Sequence, residues 1–377
     1  MTASPEIQLA ARVQRLEPSG IRRIFELMLT MDDPINLSIG QAHFPTPEPL
    51  VEAACKALRD GRNGYTMTQG LAALNERILD DVARTRGHRP ESCFVTSGVS
   101  GGILLAFLAL LDPGDEILLP DPNFMMYRHL AHLCGAEVVP YDLYPDWHLD
   151  PAEIEQLVTP RTKIVFLNSP GNPTGGVLRR AEVDALVRAA DKVGAWVISD
   201  EIYDAFEYDG EFASPVGASD RVLQLGGFSK TFGIAGWRLG YATGPAALLD
   251  AMKRLQQYTF VCAPAPLQQA VLDAAFDLDM SDHIAEYRGK RDRLVRELHP
   301  AYELAAPGGS FYAFPKLPGH AQESAFLEAA LARNLLIVPG SAFSRHATHF
   351  RLSFAAPDDV LARGLAELGA LAEQFGG

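Results

Sequence analysis

Through the middle of the chain, short apolar runs alternate with longer stretches in which apolar residues recur at helical spacing. The clearest runs are EILLP (116–120), KIVFLNSP (163–170), AWVISDE (195–201) and RVLQLGGFS (221–229). Continuous apolarity over five to eight residues, rather than strict alternation, suits strands covered on both faces. Between them, charged residues punctuate apolar ones at helical spacing from Ala181 to Val193. Such alternation predicts an α/β protein: a mostly parallel central sheet with helices on both faces. Before about Phe44 and after about Met280 the rhythm breaks. We assign residues 45–280 to a large domain and join 1–44 with 281–377 in a smaller α+β domain, with the Pro-rich VCAPAP (261–266) as a rigid loop near the junction.

A chain of 377 residues is long for one core, and its length agrees with two domains. With 33 basic and 47 acidic residues the formal charge is −14, which disfavours nucleic acid and anionic membranes as partners. Any phosphate must be held locally, by oriented N–H groups and a few basic side chains. Cys55, Cys93, Cys134 and Cys262 are scattered without metal-site spacing, so we expect free thiols, a reducing cytoplasmic compartment and no metal. The first 19 residues carry no signal-like pattern, and the apolar run Ile103–Leu111 is about half the length that spans a bilayer.

In open parallel sheets, ligands gather at the carboxyl ends of strands. Asn172, Asp200 and Lys230 all come at or just after such ends. Lys230 lies in GGFSKTFG (226–233), among glycines at the close of an apolar run. Arg238 follows eight residues later in GWRLGY; a second cation nearby favours the free amine that nucleophilic chemistry needs. Read alone, Asp200 in SDEIY is a helix cap as readily as a catalyst, and SPGNPTG (169–175) is an ordinary turn. TSGVSGG (96–102) ahead of an apolar helix-like run is a general anion site, because the first N–H groups of a helix lack partners.

Together these segments resemble the class I aminotransferases, a group of fold-type-one pyridoxal-phosphate enzymes like aspartate aminotransferase. S-K-x-x-x-x-x-G-W-R-x-G-Y, N-P-T-G and D-E-x-Y stand in family order, and matches run from Gly40 to Ala355. The resemblance implies that Lys230 carries pyridoxal 5′-phosphate as an imine and later moves a proton between substrate Cα and the cofactor. It implies that Asp200 pairs with the pyridine nitrogen, that Tyr203 and Asn172 reach the ring hydroxyl, and that Gly98, Val99, Ser100, Ser229 and Arg238 hold the phosphate. Relatives often carry a hydroxyl where Gly227 stands, so another group must supply that bond. Phe124 matches an aromatic ring over the pyridine face, and is a core phenylalanine nearly as readily. Tyr65 matches a tyrosine that reaches the neighbouring subunit's phosphate, which implies a homodimer. Gly40 borders the substrate, and Arg351 binds its α-carboxylate.

The implied reaction exchanges an amino group between an L-amino acid and a 2-oxo acid. The same motifs also serve carbon–sulfur β-lyases. A reading from another class is a non-catalytic regulator that binds the cofactor; the acidic charge, and the lack of room for a DNA-binding module before Arg12, count against it. Gln41 and His43 replace two acids of the common G-E-P-D-F pattern, which leans the donor towards an uncharged amino acid, with Phe260 and Val261 as apolar walls. His43 is a candidate pH sensor at the pocket mouth.

Overall fold

The computed structural model describes residues 9–14, 16, 28–210, 212–299 and 301–376. Most of the leading segment read above for a signal pattern lies outside them. The strands are β1 (Ile35–Asn36), β2 (Ser92–Ser97), β3 (Glu116–Asp121), β4 (Glu137–Asp142), β5 (Thr162–Asn168), β6 (Trp196–Asp200), β7 (Val222–Gly227), β8 (Leu239–Gly244), β9 (Tyr312–Ala313), β10 (Leu335–Leu336), β11 (Val338–Pro339) and β12 (Phe350–Ser353).

Seven of them form one sheet in the order β2-β8-β7-β6-β5-β3-β4. The pairs β3–β4, β3–β5, β5–β6 and β6–β7 are parallel, while β8 runs against both of its neighbours, β2 and β7. The four runs read from the sequence are β3, β5, β6 and β7, with ends that differ by one or two residues. Their apolarity has the expected cause. Along β5, Ile164 and Phe166 pack into one buried cluster while Val165 and Leu167 pack into another on the opposite face. On the first face the sheet meets the helices Gly98–Leu110 and Ala246–Tyr258, through Ile103, Phe107, Leu249 and Met252. On the second it meets the helix Arg180–Val193, through Val183, Leu186 and Ala190. Each large side chain buried this way contributes about 1.5–3 kcal/mol. That helix stops where Gly194, at φ +71°, takes the left-handed conformation that closes a helix at low cost.

Residues nearer the chain ends build smaller sheets. β1 pairs in parallel with β10, which joins the two ends of the chain, and β11-β12-β9 form an antiparallel sheet. These strands are two to four residues long and carry no readable alternation of their own. The Pro-rich segment is loop only at its start; from Ala265 it is the first turn of a helix, where proline is tolerated because that N–H has no partner. Among the described residues no helix is long and apolar enough to cross a membrane.

Candidate active site

The parallel strands all end at one edge of the large sheet. Register places Asn168 of β5 beside Asp200 of β6, and Asp200 beside Leu225 of β7. Because β8 is reversed, its first residue Leu239 pairs with Ser97, the last of β2, so Arg238 arrives at the same edge. Against this edge lies a cleft of about 290 Å³. Its walls include Gly40, Val99, Ser100, Phe124, Asn172, Asp200, Tyr203, Ser229, Lys230, Arg238 and Arg351. Nearly every residue singled out from the sequence therefore converges on one place.

One side of the cleft is shaped for an anion. The helix Gly98–Leu110 begins directly after β2, so the small residues read as a turn are its first turn, with N–H groups that have no carbonyl one turn back. Gly98 sits at φ +68°, and a Cβ there would stand 2.6 Å from Nη2 of Arg238. Gly240 is equally necessary, since its Cβ would stand 2.6 Å from the Val99 nitrogen. The two glycines let the guanidinium and the helix start face the same volume. At Gly227 a side chain would meet Ile202 Cδ1 at 2.9 Å and Val99 Cγ2 at 3.2 Å, so the space a hydroxyl would take is filled by those two residues.

At the floor, Asp200 is buried. Oδ2 accepts a hydrogen bond from the Tyr127 hydroxyl at 2.8 Å and Oδ1 accepts from the Ile202 N–H at 3.2 Å. Burial pushes its pKa up to about 6; those two bonds and the Lys230 charge pull the other way. Glu201, next in sequence, turns away into a network with Arg86, Ser199, Ser214 and Gln224.

Lys230 donates to the Gly40 carbonyl at 2.7 Å. Its amine is lowered to about 8, first by burial and then by Arg351; Asp200 opposes, and Arg238 acts least. Arg238 thus favours the free amine as expected, but less than burial and Arg351 do. Arg238 is exposed and turned to Ser97 and Ala235, whereas Arg351 is buried on β12. The nearer charge in sequence is the better-solvated one, and water screens it.

Arg351 donates to Asn172 Oδ1 at 3.0 Å and to the Ser38 carbonyl at 2.7 Å, and its guanidinium carbon stands 4.6 Å from the Tyr312 ring centre and 4.7 Å from that of Phe343. No carboxylate pairs with it among the described residues, and its Nε has no hydrogen-bond partner. Burial draws its pKa below the ordinary value, yet arginine keeps its proton. A buried, unpaired guanidinium is costly unless an anion comes to it. Asn172, its oxygen taken by Arg351, keeps its NH₂ group to donate elsewhere. Tyr203 contacts the Tyr312 hydroxyl at 3.0 Å, and burial holds its proton on well above the ordinary phenol range.

This arrangement is that of a known family. The family model for aminotransferase class I and II matches residues 32–368. The chain belongs to the class I and II aminotransferases. A probable aspartate aminotransferase of Methanocaldococcus jannaschii is 31% identical over 95% of this chain and 98% of its own. A Thermus thermophilus aspartate aminotransferase solved with maleate superposes with a TM-score of 0.91 at 31% identity, covering 97% of this chain and all of that one. An alanine aminotransferase of Pyrococcus furiosus does so with a TM-score of 0.90, also at 31% identity and over the same shares of both chains. The protein is an enzyme of a pyridoxal-phosphate-dependent transaminating family and has its fold.

Of the remaining residues, Tyr65 faces away from its own cleft, His43 stands elsewhere than the sequence suggested, and Tyr127 and Tyr312 were not singled out. Tyr65 is 88% exposed and does not line the cleft of its own chain. His43 also lies off the cleft, held by Tyr287, Glu286 and Lys290; burial and Lys290 lower its pKa, and Glu286 opposes them. Tyr127 and Tyr312 carry the contacts to Asp200 and Tyr203 and were missed; Tyr127 reads as core in its helix, and Tyr312 stands on a two-residue strand without a pattern of its own.

Proposed function

We propose that the cleft holds pyridoxal 5′-phosphate on Lys230 and exchanges an amino group between an L-amino acid and a 2-oxo acid. The observation that carries this reading is the meeting, in one cleft, of an amine lowered to about 8, a buried carboxylate and a buried guanidinium without a counter-ion. The group fits what is there. Arg238, Ser229, Ser100 and the N–H of Val99, with Gly98 allowing close approach, would take its phosphate; Asp200 would take its ring nitrogen, Asn172 and Tyr203 its ring oxygen, and Phe124 would cover its face. Bound there, it supplies an aldehyde that captures amines and a ring that accepts the electrons of a broken Cα–H bond.

The protein's part is to bind, orient and move one proton. Arg351 receives the substrate α-carboxylate through its free edge, with Asn172 beside it and Gly40 bordering the substrate. That contact fixes the Cα–H bond relative to Lys230. Lys230, as a neutral amine, would remove the Cα proton and return it to the carbon that had been the cofactor's aldehyde; a pKa near 8 suits both directions at neutral pH. Asp200, ionised and backed by Tyr127, keeps the proton on the ring nitrogen.

We also propose the division into a large domain, 45–280, and a small one, 1–44 with 281–377, with Gly40 and Arg351 approaching the cleft from the small side. A homodimer is part of the reading. Tyr65, Met67, Tyr258, Phe260 and Val261 are large apolar side chains left exposed, and Tyr65 would reach the phosphate of the second copy. Four free cysteines favour a reducing, cytoplasmic setting.

The test is chemical. Purified protein reduced with borohydride should carry a pyridoxyl group on the peptide 226–238, and the Lys230→Ala variant should carry none. Label found on another lysine, or transamination retained in that variant, overturns the assignment.

A further inference from the structure

We infer that Trp147 is a positioning residue: it spaces the turn that carries Asn172 against the strand that carries Arg351, so that the two side chains meet as one receiver for a carboxylate, a role that rests on the transamination proposed for this cleft. Trp147 is buried in the connection from β4 to β5. Its φ is +68°, in the left-handed region that bulky side chains rarely adopt. Such a backbone persists only where its surroundings over-determine it, which directs attention to what the side chain touches.

Its contacts reach two elements. On one side is the turn 168–176. A Cβ at Gly176 would stand 2.6 Å from Trp147 Cβ and 3.2 Å from the Trp147 carbonyl oxygen, so glycine there lets the two segments lie close together. From Gly176 the turn is tied back to Asn172. The Gly171 N–H donates to the Gly176 carbonyl at 2.9 Å, the Gly175 N–H to the Gly171 carbonyl at 3.0 Å, and the Asn172 N–H to Asn168 Oδ1 at 3.0 Å. On the other side is the small antiparallel sheet. The indole meets Phe314, the residue after β9, with ring centres 5.7 Å apart, and His349, the residue before β12, at 5.5 Å. Phe314 and Phe343 share one buried cluster with Trp147, and the Phe343 ring lies beside the Arg351 guanidinium.

Two hydrogen bonds join the same elements. The Gly309 N–H donates to the Gly175 carbonyl at 2.9 Å, and the Ser310 hydroxyl to the Gly171 carbonyl at 3.0 Å. They limit how far the turn and the sheet can part. A rigid, close-packed ring in contact with both limits how closely they approach. The 3.0 Å contact between Arg351 and Asn172 falls where these restraints put it. Misplacing such a receiver by about 1 Å costs about 100-fold.

Equilibrium dialysis of hydrocinnamate, an unreactive carboxylic acid, against the holoenzyme reads the receiver without turnover. Trp147→Gly suits the left-handed backbone and removes the ring; it should keep the visible band and the circular dichroism while Kd rises at least tenfold. Trp147→Phe keeps a ring and should recover most of that loss. In an Arg351→Lys background Trp147→Gly should change Kd by less than about twofold, because the receiver it serves is already gone. An undiminished effect in that background marks general loosening and overturns the inference. So do an unchanged Kd in Trp147→Gly, equal losses in the Gly and Phe variants, and a wild type that does not bind hydrocinnamate. Should Trp147→Gly fail to fold, Gly176→Ala disturbs the same contact from the turn and goes through the same cycle, with the same outcomes deciding. A holoenzyme whose visible band no single amino acid bleaches counts against the transaminating role, while the dialysis cycle still decides the place of Trp147.

Discussion

Asp200 is a buried carboxylate that the fold alone does not compensate, and replacing it should stabilise the apoprotein. Its pKa is pushed from 3.8 to about 6 in the folded chain. An acid whose folded pKa is raised binds its proton more tightly when folded, so stability falls as pH rises between the two values and stays low above the upper one. Each unit is worth about 1.4 kcal/mol, so the full loss is about 3 kcal/mol above pH 7. At pH 5 about half of that loss is already present. In Asp200→Asn the amide oxygen still accepts from the Ile202 N–H and the NH₂ still meets the Tyr127 oxygen, but no charge is buried. Unfolding of the two apoproteins in urea, compared at pH 5 and pH 8, should show the variant gaining on the wild type by about 1–2 kcal/mol between those conditions. Addition of pyridoxal phosphate should reverse the ranking, since only the wild type offers an anion to the ring nitrogen. A difference between the two apoproteins that does not change with pH, or that shrinks towards pH 8, would refute the reasoning.

Other expectations follow from the same geometry. Modification of Lys230 in the apoprotein by an amine-reactive reagent should titrate with a midpoint near pH 8, and Arg351→Gln should move that midpoint upward more than Arg238→Gln does; mass spectrometry of the 226–238 peptide reads both. Arg351→Lys keeps the charge but loses the planar fork, so kcat/KM should fall about 100-fold for all amino acids, chiefly through KM. Gly240→Ala places a methyl against the Val99 nitrogen and should weaken retention of pyridoxal phosphate at least tenfold in a dialysis measurement, while the far-ultraviolet circular dichroism is kept. Tyr65→Ala should lower cofactor affinity only in the associated form, so its effect should vanish at protein concentrations where sedimentation shows single chains.

The large sheet was legible because its central strands are covered on both faces and therefore read as unbroken apolar runs; β5, β6 and β7 stand in the sequence almost at their observed limits. The chemical residues were legible because they follow directly on those runs. Asn172, Asp200 and Lys230 each stand just past or at a strand end, and the sheet register alone brings them together. What could not be read is whatever depends on elements without periodicity or on contacts between distant segments. Tyr127 meets Asp200 across 73 residues of sequence, and Arg351 meets Asn172 across 179. Nothing local marks Tyr127 as different from the apolar residues around it. Arg238 was credited with lowering the Lys230 pKa because it is close in sequence; burial and Arg351, which sequence distance hides, do more. His43 was placed at the pocket mouth because of its neighbours in the chain, and the helix Ser281–Leu298, which turns its ring aside, is far away in sequence.

The reversed direction of β8 makes a short bracket of the segment that carries Ser229, Lys230 and Arg238. Both of its feet are pinned, for Gly227 and Gly240 sit opposite each other in the ladder. Pairing at both feet restrains where the backbone of the span enters and leaves the site. In the proposed cycle, the exchange of partners by Lys230 would then fall to the torsions of its own side chain. The catalytic cycle can then proceed without rebuilding the main chain beneath it.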